Sequence, residues 1–492
     1  MGRVVSAALW VVTTPIVLHA LGPERFAVWA LCFALTGYVA ALDFGIGNAV
    51  ARHVALGIAD HDTGGVRRTV RNGVLVALGL GLVWAAAGWL GRDWLIARFH
   101  VPAIAVPEAH RALGLYAVAL MLGALSQVLQ GVLMGLERLD RFNLAFLAGV
   151  GVHTALLITG LARGGGLVAA AVAAISGQLT QLLLGASFTA GLVAWRATAP
   201  PRGPFPWRAF AGFGAAVQGT NATATGWTQA PRILLGMLGN LRAVTELELG
   251  MRLSMTVWSV AAIMQGALIG TAARVSASGS LAALREVYLW TSRWMVALAS
   301  WALGGLWLLA PALLLLWLGP GHEASIVPAR DTAIAFVVLV LAGPAMALAR
   351  GAGWPMLETL MSATALLLQV ALALWWIPRI GPRGAPLALG ASVALAGAWL
   401  VARIHARIEL PTGRWFAAVV LPRLAAATLA AALAGLVPLG TPAGRLAALG
   451  EVAGRGAIYS MLYALFTWHT GDVRSLAARL GVRLPAPRGV TT

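Results

Sequence analysis

The sequence predicts an all-α polytopic membrane protein with about 14 transmembrane helices. Mean hydropathy is +0.83, and only 11% of the 492 residues are charged. Apolar runs of about 20 residues, long enough to cross a hydrocarbon core of roughly 30 Å, recur along the whole chain. Barrel strands alternate apolar and polar positions, and these runs do not.

The spans fall in order at 4–22, 26–51, 70–91, 112–135, 143–162, 167–194, 209–235, 244–270, 290–317, 329–349, 355–378, 384–405, 415–438 and 446–468. The first leads straight into Pro23-Glu24-Arg25 with no small-residue cleavage site, so it reads as a span and not as a leader. The chain has no lysine, and all 35 basic residues are arginine. That excludes a Gly-x4-Gly-Lys phosphate loop and a Schiff-base lysine, so no ATP chemistry is expected. Cys32 is the single cysteine, which excludes an intrachain disulfide and a multi-thiolate metal site. No cofactor, metal or nucleic-acid partner is expected. With the N-terminus cytoplasmic, 21 arginines fall on the cytoplasmic side and 11 on the other, leaving Arg232, Arg252 and Arg423 inside spans. This bias supports an even span count with both termini cytoplasmic.

Two halves repeat. Gly22 after the first span answers to Gly239 after the seventh, Arg52 to Arg274, and Gly135 to Gly353, at offsets of 217, 222 and 218. The organisation expected is an N-terminal lobe at 1–194, a Pro-rich cytoplasmic linker at 195–208, a C-terminal lobe at 209–407, two further spans at 408–470, and a tail at 471–492. A six-span unit copied in tandem keeps its orientation, so the pseudo-twofold axis lies along the membrane normal. In the tail, Val473, Leu476, Leu480 and Leu484 share one helical face with arginines elsewhere, as in an interfacial helix on anionic lipid.

Polar residues inside spans mark the candidate sites. In span seven, Asn221, Thr225, Thr228 and Arg232 fall within about 60° of one another on a helix, and Gln218 and Gln229 widen the stripe to roughly 100°. Such a face is expensive against lipid and points to a water-filled cavity or another helix. Pro231 removes a backbone bond near the end of that span. In span eight, Glu248, Arg252, Thr256 and Ser259 share a stripe about 80° wide, and the acid-first spacing of Glu248 and Arg252 suits an ion pair. In the first half, Asn48 and Arg52 share a face, and Asp43 is a titratable or counter-ion candidate. Gly45 and Gly47 permit a close helix approach or a local bend. His19 and His153 read as packed side chains.

The stretch LGPERFAVWALCFALTGYVAALDFGIGNAVARHVA (Leu21 to Ala55) resembles the first two spans of Wzx-type polysaccharide transporters. These are lipid-linked oligosaccharide flippases of the multidrug/oligosaccharidyl-lipid/polysaccharide (MOP) exporter superfamily. TELELGMRLS, PALLLLWLG and ARGAGWPMLETL resemble later parts of that family in the right order. One departure is Leu247, where the family commonly has Tyr. The resemblance implies a bacterial inner-membrane protein that flips an undecaprenyl-diphosphate-linked repeat unit for O-antigen, capsule or exopolysaccharide by alternating access. Its arginine-lined cavity would take the anionic head group, which arginine holds bidentately. Anionic lipids and other polysaccharide-assembly membrane proteins are the partners implied. Two rivals are weighed against it. A cation-coupled multidrug exporter of the same superfamily would need cavity acids, which are scarce here. A membrane-embedded glycosyltransferase or polymerase could use Asp60-His61-Asp62 as a metal-binding D-x-D, but no domain surrounds that loop.

Overall fold

A computed structural model describes residues 2–41, 45–192, 200, 203–277, 279–438 and 444–468. The helices are α1 (Gly2–Ala41), α2 (Ile46–Ala59), α3 (Thr63–Leu90), α4 (Arg92–Arg98), α5 (Val106–Gly135), α6 (Leu139–Ala162), α7 (Gly166–Ala190), α8 (Trp207–Leu238), α9 (Leu241–Ala277), α10 (Leu281–Leu318), α11 (Ile326–Gly351), α12 (Pro355–Ile380), α13 (Gly384–Arg407), α14 (Thr412–Trp415), α15 (Leu421–Gly435) and α16 (Arg445–Thr467). No strand occurs among the described residues. Ten continuous stretches among them are long and apolar enough to cross a membrane, and Pro355–Arg407 holds two helices in one such stretch. α8 is long enough, but its polar stripe keeps it out of that set.

Each expected span finds helix at its position. The first two spans are merged in α1, which breaks at Gly22 (φ 73°, ψ 166°). That conformation belongs to glycine, and Pro23 follows without an N–H to continue the ladder. Span two continues into α2 through Gly45, which is left-handed (φ 63°). Span thirteen runs from α14 through a π-helical segment at Phe416–Val420 into α15. The D-x-D loop is a helix junction. Asp62 accepts the Gly65 N–H at 2.8 Å as the N-cap of α3, and His61 is left-handed (φ 55°). The tail at 471–492 and most of the 195–208 linker lie outside the described residues.

Packing groups the chain into two compact units, Met1–Glu248 with Leu366–Ala385, and Leu249–Ala365 with Pro386–Thr492. This grouping follows contacts and cuts the chain elsewhere than the lobes drawn from the repeat. In the first unit, Ala49, Val50 and Val54 of α2 meet Val66 and Val70 of α3, Val128 and Val132 of α5, and Phe210 of α8. Glu108 at the start of α5 ties three elements. It pairs with Arg25 at 3.0 Å and accepts the Leu167 N–H of α7 at 2.5 Å.

In the second unit, α10, α15 and α16 pack through Leu308, Leu309, Ala427, Ala430 and Tyr459. Lipid competes for such apolar surface, so close packing and interhelical hydrogen bonds carry the association. Tyr459 Oη donates toward the Ser300 and Trp301 carbonyls (3.1 and 2.9 Å), and Tyr463 Oη to that of Ala297 (2.9 Å). The Trp301 indole donates to Ser460 Oγ at 3.1 Å. These bonds fasten α16 along α10.

Candidate functional site

The strongest concentration of buried charge in the first unit lies where α8 turns into α9. Asn240 sets the turn by accepting the Ala243 N–H at 2.8 Å on its side-chain oxygen, the geometry of a helix N-cap. α9 therefore starts at once. Arg232 on α8 is 5% exposed and Glu248 on α9 is 4% exposed. Arg232 Nε donates to a Glu248 carboxylate oxygen. Its Nη1 donates to Gln229 Oε1 at 2.5 Å and to the Thr228 carbonyl at 3.2 Å. Thr245, one turn before Glu248, donates to the Pro23 carbonyl at 2.5 Å, so the cluster is anchored to the break in α1.

Arg232 is thus buried in an ion pair. Glu248 has a partner on the preceding helix that its spacing to Arg252, four residues on, did not reveal. The reason is the tight turn: Arg232 lies seven residues before Gly239 and Glu248 eight after Asn240. Residues at similar distances from a short turn face each other across antiparallel helices. That signal was available in the sequence.

The rest of the span-seven stripe is partly satisfied within α8. Thr228 Oγ1 donates to the Thr225 carbonyl at 2.8 Å, and Thr225, Thr228 and Gln229 are half-buried. Gln218 is 6% exposed, and among the described residues its Nε2 has no hydrogen-bond partner. The Asn221 side chain lies outside the described residues, as does Asp43. α8 runs unbroken through Pro231.

α2 meets the other end of α8. The exposed Arg52 guanidinium sits 4.5 Å from the centre of the Phe213 ring, and Asn48 is half-buried one turn earlier. His53 Nδ1 lies 2.9 Å from the Ala49 carbonyl. His19 Nδ1 lies 2.7 Å from the Pro15 carbonyl, but the residue is exposed and not the packed side chain the sequence suggests.

Arg252 belongs to the second unit. It is 8% exposed, and its carbonyl accepts Thr256 Oγ1 at 2.9 Å. Ser259 Oγ in turn donates to the Thr256 carbonyl at 2.7 Å. Ser254 Oγ lies 3.3 Å from Thr332 Oγ1 of α11. The chemistry available on α8 and α9 is thus ion pairing and hydrogen bonding. No cluster of three metal-ligating side chains occurs among the described residues.

Residues 4–159 match the MatE family. No curated protein matches the sequence. Solved structures do. A multidrug resistance MATE family transporter of the MOP superfamily, in an inward-facing conformation, is similar with a TM-score of 0.71 and 18% identity, over 82% of this chain and 94% of that one. A MOP superfamily transporter from Pyrococcus furiosus, described as having a binding pocket of reverse polarity, gives 0.61 at 19% identity over 83% and 94%. The lipid II flippase MurJ, inward closed, gives 0.72 at 11% identity over 95% of this chain and 98% of that one. The chain therefore has the fold of the MOP superfamily transporters, with a MatE match over its first third.

Proposed function

We propose that the chain is a MOP superfamily flippase that carries a lipid-linked oligosaccharide with an anionic diphosphate across the bacterial inner membrane, as Wzx-type transporters do. The charge balance on α8 and α9 carries the reading. Among their buried residues are two arginines, Arg232 and Arg252, against one carboxylate, Glu248. That excess of arginine over carboxylate on the two helices favours an anion over a cation. Buried charge inside a span is costly and is kept where it pairs or binds. The fuller match to a flippase supports the same reading, because it extends over 95% of this chain while the MATE structure extends over 82%.

In this mechanism the head group engages Arg252. The lipid tail stays in the bilayer. The six-span lobes 1–194 and 209–407 rock about the substrate, spans thirteen and fourteen stand outside the repeat, and both termini face the cytoplasm. Complementation of a strain lacking its repeat-unit flippase tests the reading, with glycan export as the readout. Normal protein levels with no export in any flippase-null background would remove it.

The MatE match and the multidrug title of a similar structure favour a second reading, export of a lipophilic cation. Uptake of tetraphenylphosphonium into vesicles holding the purified protein, driven by a sodium or proton gradient, would put that reading first.

A further inference from the structure

A cavity of about 430 Å³ lies inside the first unit, away from the Arg232–Glu248 cluster, walled by α1, α2, α3, α5, α6 and α7. Its lining has no aspartate, glutamate, arginine or lysine. His153 is the one side chain of the lining that can take up a proton near neutral pH. The volume falls in the range of about 300–1,000 Å³ typical of small-molecule sites.

Two chemistries make up the walls. One side is aromatic: Trp10 lies 5.5 Å from Trp29 and 4.6 Å from Phe33, ring centre to ring centre. The other side is built of amides. Gln127 and Gln130 on α5, and Gln178 and Gln181 on α7, are each three residues apart, so each pair shares one face of its helix. Gln130 Nε2 donates to Gln181 Oε1 at 3.0 Å, which closes one pair of amides on itself. The side chains of Gln127 and Gln178 have no hydrogen-bond partner among the described residues. The Trp84 indole N–H, also in the wall, is buried and has no partner among them.

Glycine makes this arrangement possible on the α6 side. A Cβ on Gly149 would collide with the Gln181 side chain and sit 2.7 Å from the Gly177 carbonyl oxygen. Unmatched neutral donors and acceptors inside a membrane protein cost free energy unless something completes them. A ligand that completes them would be uncharged, rich in donors and acceptors, and apolar enough on its faces to lie against tryptophan rings.

We propose that this cavity binds a neutral, hydroxyl-rich ring, the sugar part of a substrate, through Gln127 and Gln178 and against the tryptophan rings. The inference builds on the flippase reading by adding a glycan subsite apart from the diphosphate site, but sugar binding can be measured without transport.

The test uses the full chain in lipid nanodiscs, with methyl β-glucoside as the probe and saturation-transfer NMR as the readout. Saturation transfer to the sugar ring protons several-fold above that of empty discs is expected. The double variant Gln127→Leu/Gln178→Leu should lose most of it while keeping the wild-type thermal melt. Gln127→Asn/Gln178→Asn, which keeps each amide but shortens its reach, should lose part of it and decides the matter if the leucine variant does not fold. Inorganic pyrophosphate should not displace the sugar. No signal from the wild type, an undiminished signal in these variants, or displacement by tetraphenylphosphonium below the sugar's own concentration would overturn the proposal. Sugar binding without glycan export would leave this inference standing and remove the flippase reading. Glycan export without sugar binding would do the reverse.

Discussion

Arg232 and Glu248 form a buried ion pair across the α8–α9 turn, and Gln229 completes the arginine from its own helix. Neither charge reaches solvent, so each depends on the other. The pair therefore couples the shape of the hairpin to any event that draws Arg232 toward an anion.

Breaking the pair from one side leaves a bare buried charge, which costs about 3–5 kcal/mol. Arg232→Leu and Glu248→Leu should each lower the melting temperature of the detergent-solubilised protein. The double variant should recover most of the loss, because no charge is left unpaired. Glu248→Gln should be milder than Glu248→Leu, since an amide oxygen still accepts from the guanidinium. Additive losses in the double variant would show that the two residues do not depend on each other.

Arg252 separates binding from structure. Arg252→Ala should abolish complementation of a flippase-null strain while protein level and insertion stay normal. Arg252→Lys should retain part of the function, because the charge survives and the bidentate fork does not. A loss of protein in Arg252→Ala that matches the loss in function would assign Arg252 to the framework instead.

The helices were legible because length and apolar composition are local properties. The breaks at Gly22 and Gly45 were legible because glycine beside a proline or inside a span has few other uses. The partner of Glu248 was missed for a geometric reason. Helical periodicity compares positions on one helix and offered only Arg252, while Arg232 lies across a turn. The cavity was missed in the same way: its glutamine pairs lie on α5 and α7, about fifty residues apart in sequence, and only packing brings them together.

Tyr459 and Gly304 should be coupled. A Cβ on Gly304 would stand 2.6 Å from Tyr459 Oη, the atom bonded to the Ser300 and Trp301 carbonyls. Gly304→Ala should therefore destabilise the α10–α16 contact by about 1–3 kcal/mol, as overpacking does. Tyr459→Phe alone removes one interhelical bond, worth about 0.6 kcal/mol in membrane bundles. Adding it to Gly304→Ala should restore part of the stability, because the clashing atom is gone. Thermal melts of the four proteins give the coupling directly, and simple additivity would refute it.

Arg423 reads in the sequence as an unexplained charge inside span thirteen. In the structure it is 1% exposed, and its Nη1 donates to the carbonyls of Val419 (2.7 Å) and Ala418 (3.3 Å). The preceding residue explains why the Ala418 carbonyl needs a donor. Pro422 has no N–H to give the Ala418 carbonyl four residues back, and its ring crowds that turn. The chain responds with the π-helical segment Phe416–Val420, and the arginine side chain supplies the missing donor. Arg423→Leu should then cost about 1–3 kcal/mol for the Ala418 carbonyl left bare. Pro422→Ala returns a backbone donor, so the double variant Pro422→Ala/Arg423→Leu should be more stable than Arg423→Leu alone. Melts of the single and double variants decide it. If Pro422→Ala gives no rescue, and Arg423→Leu folds normally but fails to complement, the arginine serves transport and not the backbone.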